Sequence, residues 1–209
     1  MSTKRTLKFN LSSYWRVGSG KGAEAMADAL VLRDEVGLPL IPGRAVKGLL
    51  RDAMSLATLS GIVSAENIER WFGSELPGQT PGEDDQDTRL EEGRFHSREA
   101  DLWFGSATLP QSWRDWARQA STDGAKDVLA SLFTYQSSTA IGPDGVARDH
   151  SLRVTEVAVP MELRAEVRGP EHDLSWVKDL EASLPLLRAL GSRRSRGLGR
   201  VEVTLEEAK

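Results

Sequence analysis

From Thr6 to Tyr14 the chain reads TLKFNLSSY, with Leu7, Phe9 and Leu11 at a period of two. That spacing predicts a strand half-buried on one face. A glycine-rich stretch follows, with Gly18, Gly20 and Gly22. Asp28 to Leu32 and Leu38 to Pro42 then read as two short strands around a turn. From about Arg44 to Leu59, Val46, Leu49, Leu50, Ala53, Met54 and Ala57 recur at three and four, so a helix is predicted, opened by Pro42 and Gly43. Ala65 to Phe72 is a helical turn ending at Gly73.

Apolar positions almost vanish between Ser74 and Gly93, which reads as a surface loop within an insertion of about 74–99. Ala100 to Leu109 alternates again as a second core strand, and Gln111 to Ser121 and Lys126 to Thr134 are short helical or irregular pieces. Tyr135 to His150 is polar, with Gly142 to Gly145 marking a turn, and is expected as an extended loop. Leu152 to Val167 has a long strand pattern interrupted at Pro160, since proline cannot donate to a central ladder. His172 to Leu190 is a second amphipathic helix containing Pro185, and Arg200 to Leu205 closes the pattern as a strand. Strands and helices in this order predict an α+β fold, a βαββαβ split unit with an antiparallel sheet and insertions, in one domain of 209 residues.

Composition narrows the chemistry. There is no cysteine, which excludes disulfides, thiolate metal sites and cysteine nucleophiles, and suits a reducing, cytoplasmic compartment. No stretch approaches the roughly 18 consecutive apolar residues of a membrane span, so no membrane partner is expected. A net charge of -4 argues against a nucleic-acid binder until its distribution is considered. The acids crowd between Glu75 and Asp101, whereas Arg193, Arg194, Arg196 and Arg200 fall within eight residues.

That basic segment, GSRRSRGLGR from Gly191 to Arg200, lies between a helix and a strand. Its glycines, Gly197 and Gly199 included, allow close backbone approach, its N–H groups can cup phosphate oxygens and its guanidiniums add charge-assisted bonds. A helix cap followed by a solvated basic turn is the other reading. IPGRAVKGLLR places Arg44, Lys47 and Arg51 along the start of the first helix, where free N–H groups also suit phosphate, although a solvated helix face has the same pattern. Lys21 lies in GSGKG, which lacks the Ser or Thr and the helix of a nucleotide loop. His96, His150 and His172 are too scattered for a metal pair.

Taken in order, IPGRAVKGLLR, RWFGS and SRRSRGLGRV, with DALVLRD upstream, resemble the marks of the RAMP superfamily of CRISPR-associated proteins, in particular the backbone subunits of type III effector complexes. The resemblance implies a ferredoxin-like, RRM-related domain that stacks along a guide RNA. Its partners would be guide RNA, target RNA and other effector subunits, copies of itself among them. It implies that Tyr135 to His150 is a wedge entering the guide–target duplex, and that Lys21, Arg44, Lys47, Arg51, Arg193, Arg194, Arg196, Gly197, Gly199 and Arg200 touch RNA. Asp28 stands where such subunits carry an aspartate that cuts target RNA. There it would bind a divalent cation such as Mg²⁺ or orient a ribose 2′-hydroxyl. Two alternatives remain open: a non-catalytic capping subunit of the same complex, and a repeat-processing endoribonuclease using a histidine such as His150 as general base.

Overall fold

The computed structural model describes residues 2–20, 22, 27–74, 98–119 and 123–208. Most of the expected acidic insertion, 75–97, lies outside the described residues, as does Lys21. The elements are β1 (Ser2–Leu11), α1 (Gly43–Leu59), α2 (Ala65–Phe72), β2 (Trp103–Phe104), α3 (Gln111–Gln119), α4 (Asp123–Ala130), β3 (Phe133–Ser138), β4 (Arg153–Ala158), β5 (Glu162–Pro170), α5 (Ser175–Ser183) and β6 (Val201–Glu207).

Four strands form the main sheet in the order β2-β5-β1-β6, with every neighbouring pair antiparallel. Taken as β1-α1-β2-β5-α5-β6, this is the βαββαβ unit with the fourth, first, third and second strands side by side, the ferredoxin-like arrangement. Alternation decides the faces. Leu7, Phe9 and Leu11 of β1 and Leu163, Ala165 and Val167 of β5 are buried under the helices. Val46, Leu50 and Met54 of α1 and Trp176 and Leu180 of α5 close the same core from the other side.

The opposite, open face of the sheet is a charged ladder. Lys8 Nζ lies 3.0 Å from Glu162, Arg164 lies 2.8 Å from Glu162, Lys4 lies 3.8 Å from Glu166, and Arg168 pairs with Glu166. Hydrogen bonds from Lys8 and Arg164 hold the Glu162 carboxyl below the ordinary carboxylate range.

Several expectations need correction. The segments Asp28 to Leu32 and Leu38 to Pro42 make isolated pairings only, Gly18 with Val31, Ala29 with Thr155 and Arg33 with Pro39. The second core strand is two residues long, its continuation interrupted near Gly105, with Thr108 pairing onward to Arg164. Tyr135 to His150 is no continuous loop: β3 runs to Ser138 and pairs with β4 in a separate two-stranded arm, with Thr139 to Leu152 as its tip. The pattern from Leu152 to Val167 is two strands in different sheets, and the break expected at Pro160 falls between them. The second helix stops at Ser183 and tightens into a 3-10 turn at Leu184–Leu186, where Pro185 lacks the N–H needed to continue. Leu187 to Leu190 are therefore outside the helix, and the basic segment is not its cap.

Candidate nucleic-acid interface

Strand directions collect the candidate residues at one end. Asn10 pairs with Glu162 and Leu11 with Val201, so the finish of β1 meets the starts of β5 and β6. The connections from β1 to α1, from β2 to β5 and from α5 to β6 all emerge there. They carry Asp28 and the start of α1, the arm, and the Arg193–Arg200 segment respectively.

Within that end the basic loop is braced against Tyr14 and Arg16. The Ser192 N–H donates to the Arg16 carbonyl at 2.9 Å, the Gly199 N–H to the Tyr14 carbonyl at 2.7 Å, and Arg16 Nη1 to Ser192 Oγ at 3.2 Å. The glycines divide between two tasks. A Cβ at Gly191 would sit 2.3 Å from the Arg16 carbonyl oxygen and one at Gly199 would sit 1.9 Å from that of Leu190, so these two serve the chain's own close packing. Gly197, at φ +85°, meets nothing within 4 Å. It lies on the outer side of the turn beside Arg194 and Arg196, both exposed.

Arg16 is a cation that sequence reasoning missed. Burial, then the neighbouring Arg193 guanidinium, lower its pKa, while Glu156 opposes them. Its Nε is shielded from solvent without a hydrogen-bond partner. Arg193 holds a left-handed backbone at φ +60°, uncommon for a residue with a side chain. Two guanidiniums close together, one on a strained backbone, are stabilised by an anion between them.

Arg44 is exposed at the first turn of α1, and Lys47 is half-buried one turn on. Gly43 lets that turn press on the sheet edge, since a Cβ there would approach the Phe104 carbonyl to 2.4 Å. Arg51 is half-buried eight residues along the helix, about 12 Å from its start, and so stands back from the end. The α1 start and the basic loop share an end. Hydrogen-bonded coil intervenes, with Leu32 N–H to the Val17 carbonyl, Leu40 N–H to the Leu32 carbonyl and Ile41 N–H to the Ala107 carbonyl. Among the described residues no ion pair reaches Arg44, Lys47, Arg193, Arg194, Arg196 or Arg200, in contrast to the paired cations of the open sheet face.

Asp28 is exposed and faces the arm. Its N–H donates to the Val154 carbonyl at 2.8 Å, and its Oδ2 accepts the Val154 N–H at 2.7 Å. Below it Glu156, 1 % exposed, anchors the arm: Oε2 accepts the Val31 N–H at 2.9 Å and Oε1 lies 2.6 Å from Arg33 Nη2. Arg33 also stacks 3.8 Å over the Phe133 ring. Among the described residues no three His, Asp or Glu side chains gather as a metal site. A lone carboxylate with one oxygen committed to Val154 does not fit a protein-built divalent-cation site. His150 is exposed on the arm tip, His172 follows β5 at the opposite end, and His96 lies outside the described residues.

A profile of the RAMP superfamily matches residues 8–202. Comparison with curated proteins gives no match. Among solved structures, a chain of the Type III-B Cmr-beta complex bound to cognate target RNA is similar, with a TM-score of 0.64, 14% identity, and coverage of 97% of this chain and 96% of that one. A chain of the apo Cmr-beta complex gives a TM-score of 0.62 at 16% identity and 97% coverage of both. With the family profile spanning nearly the whole sequence and the strand order in agreement, this chain belongs to the RAMP superfamily.

Proposed function

We propose that this chain is an RNA-binding backbone subunit of a type III CRISPR effector complex, holding guide RNA by its phosphates at the end of the sheet where β1, β5 and β6 meet. The observation that carries this reading is the contrast between two surfaces. Cations on the open sheet face are neutralised by neighbouring glutamates, whereas the arginines of the α5–β6 connection and the α1 start have no acidic partner among the described residues. On the open face Trp103, about half exposed, has the Arg168 guanidinium 4.6 Å over its ring. Base specificity would then come from the guide, and the chain would read backbone and shape. In the assembled complex, replacing Arg193, Arg194 and Arg196 by Ala is expected to lower the slope of log affinity against log salt by about 2, with the fold intact by circular dichroism. An unchanged slope would remove the loop from the interface.

The arm would lie along the paired target strand, bringing Asp28 near its backbone. In a cutting step the ribose 2′-oxygen attacks the adjacent phosphorus while Asp28 takes the 2′-hydroxyl proton, and the bond to the 5′-oxygen breaks, leaving a 2′,3′-cyclic phosphate and a 5′-oxyanion that takes a proton from water to become the 5′-hydroxyl. The Val154 hydrogen bond favours a second reading, in which Asp28 only ties the arm down and the subunit binds or caps without cutting. Asp28→Asn separates them, because it keeps the acceptor and loses the base. Complementary RNA incubated with the complex and Mg²⁺ should be cut by wild type and left intact by Asp28→Asn. Equal cutting by both would mean that Asp28 is structural.

A further inference from the structure

The free edge of the sheet carries a surface independent of the RNA reading. β6 pairs with β1 along one side only. The Val201 N–H turns the other way and donates to the Arg188 carbonyl at 3.0 Å. Val203 and Leu205, in phase with Val201, therefore direct their N–H and C=O groups away from β1. Among the described residues no hydrogen bond reaches those outward groups. Beside them a groove of about 480 Å³ runs between β6 and the end of α5, walled by Leu184, Pro185, Leu187 and Leu205. A strand edge beside an apolar groove is the geometry by which extended peptides add to a sheet, with main-chain bonds giving the ladder and alternate side chains filling the groove.

Charge selects the occupant. Glu202 and Glu206 face the open side of the sheet from this edge, and Glu181 stands at the groove together with one cation, Arg188. Three carboxylates against one guanidinium disfavour RNA here. A second β6 laid antiparallel would bring like charges together across the pair. The inner edge shows what fits: Leu7 lies opposite Leu205 and Phe9 opposite Val203 on the core side, while Lys8 lies opposite Thr204 and 4.0 Å from Glu206 on the other. We propose that the outer edge of β6 docks an extended segment of a protein partner in which basic and apolar residues alternate, the apolar side chains entering the groove and the basic ones facing Glu202 and Glu206.

The test is a fluorescence-anisotropy titration of the full chain with three labelled hexapeptides: alternating Lys-Val, alternating Glu-Val, and Lys-Val N-methylated at alternate backbone positions. Saturable binding of Lys-Val is expected, with Glu-Val weaker by about tenfold or more and the N-methylated peptide weaker still. Glu202→Lys combined with Glu206→Lys, both at exposed positions, should leave the circular dichroism unchanged and invert the charge preference. Amide cross-peaks of Val203 and Leu205 should shift on saturation. Lys-Val that fails to saturate, equal affinity for the two charged peptides, or binding indifferent to N-methylation or to charge reversal would overturn the proposal.

Discussion

Glu156 shows what one buried side chain contributes. Its two oxygens are committed to Val31 and Arg33, so Glu156→Gln should keep the acceptor for the Val31 N–H, weaken the pairing with Arg33, and cost about 1–3 kcal/mol in urea denaturation. Glu156→Ala, which removes both acceptors, should cost more. Nothing in the sequence announces this residue. In RVTEVA only its charge marks it, suggesting exposure, and its partners lie 123 and 125 residues away. Arg16 was missed for the same reason, since its neighbour Arg193 is brought to it only by the fold. Asp28, by contrast, was singled out from its place in a resemblance, and the structure adds the hydrogen bond that makes Asn the informative replacement.

At the scale of the element, α5 depends on a carboxylate ahead of its first turn. Asp173 Oδ1 accepts hydrogen bonds from the Ser175 hydroxyl at 2.6 Å and N–H at 2.9 Å, with Arg70 at 2.7 Å from the other oxygen, and these lower its pKa to about 2. A depressed carboxyl contributes stability that is present above its unfolded value near 3.8 and lost as pH falls toward 2. Asp173→Asn should lower the thermal midpoint at pH 7 and flatten its dependence on pH between 4 and 2, the variant and wild type converging toward pH 2. The arm behaves differently. Its tip is held by its own bonds, Ser151 Oγ reaching Thr139 at 2.6 Å and the Arg148 carbonyl at 2.6 Å. Replacing 140–150 by a two-residue Asn-Gly turn is expected to move the thermal midpoint by only a few degrees in differential scanning calorimetry. α1 and the strands β1, β5 and β6 were legible because their periodicity spans many residues, whereas β3 was hidden by the polar sequence YQSS, and of the strand expected over Ala100 to Leu109 only Trp103–Phe104 forms β2.

For the molecule as a whole, the order of strands and helices was readable as a βαββαβ unit, and the sheet order confirms it. The division of charge was legible only in part. The clustering of arginines near the end of the chain is visible in the sequence, but that the lysines and arginines of β1 and β5 cancel against neighbouring glutamates requires the register. A net charge of -4 is thus compatible with one cationic end. Ser2 pairs with Pro170 and Arg5 with Glu207, so both described extremities of the chain leave the sheet on the side remote from the arginine loop. Ten residues of β1 span about 33 Å and the seven of β6 about 23 Å, which are the distances a fluorophore or affinity handle at the first or last described residues would keep from a bound nucleic acid. Such labels should report assembly without competing for the strand they are meant to follow.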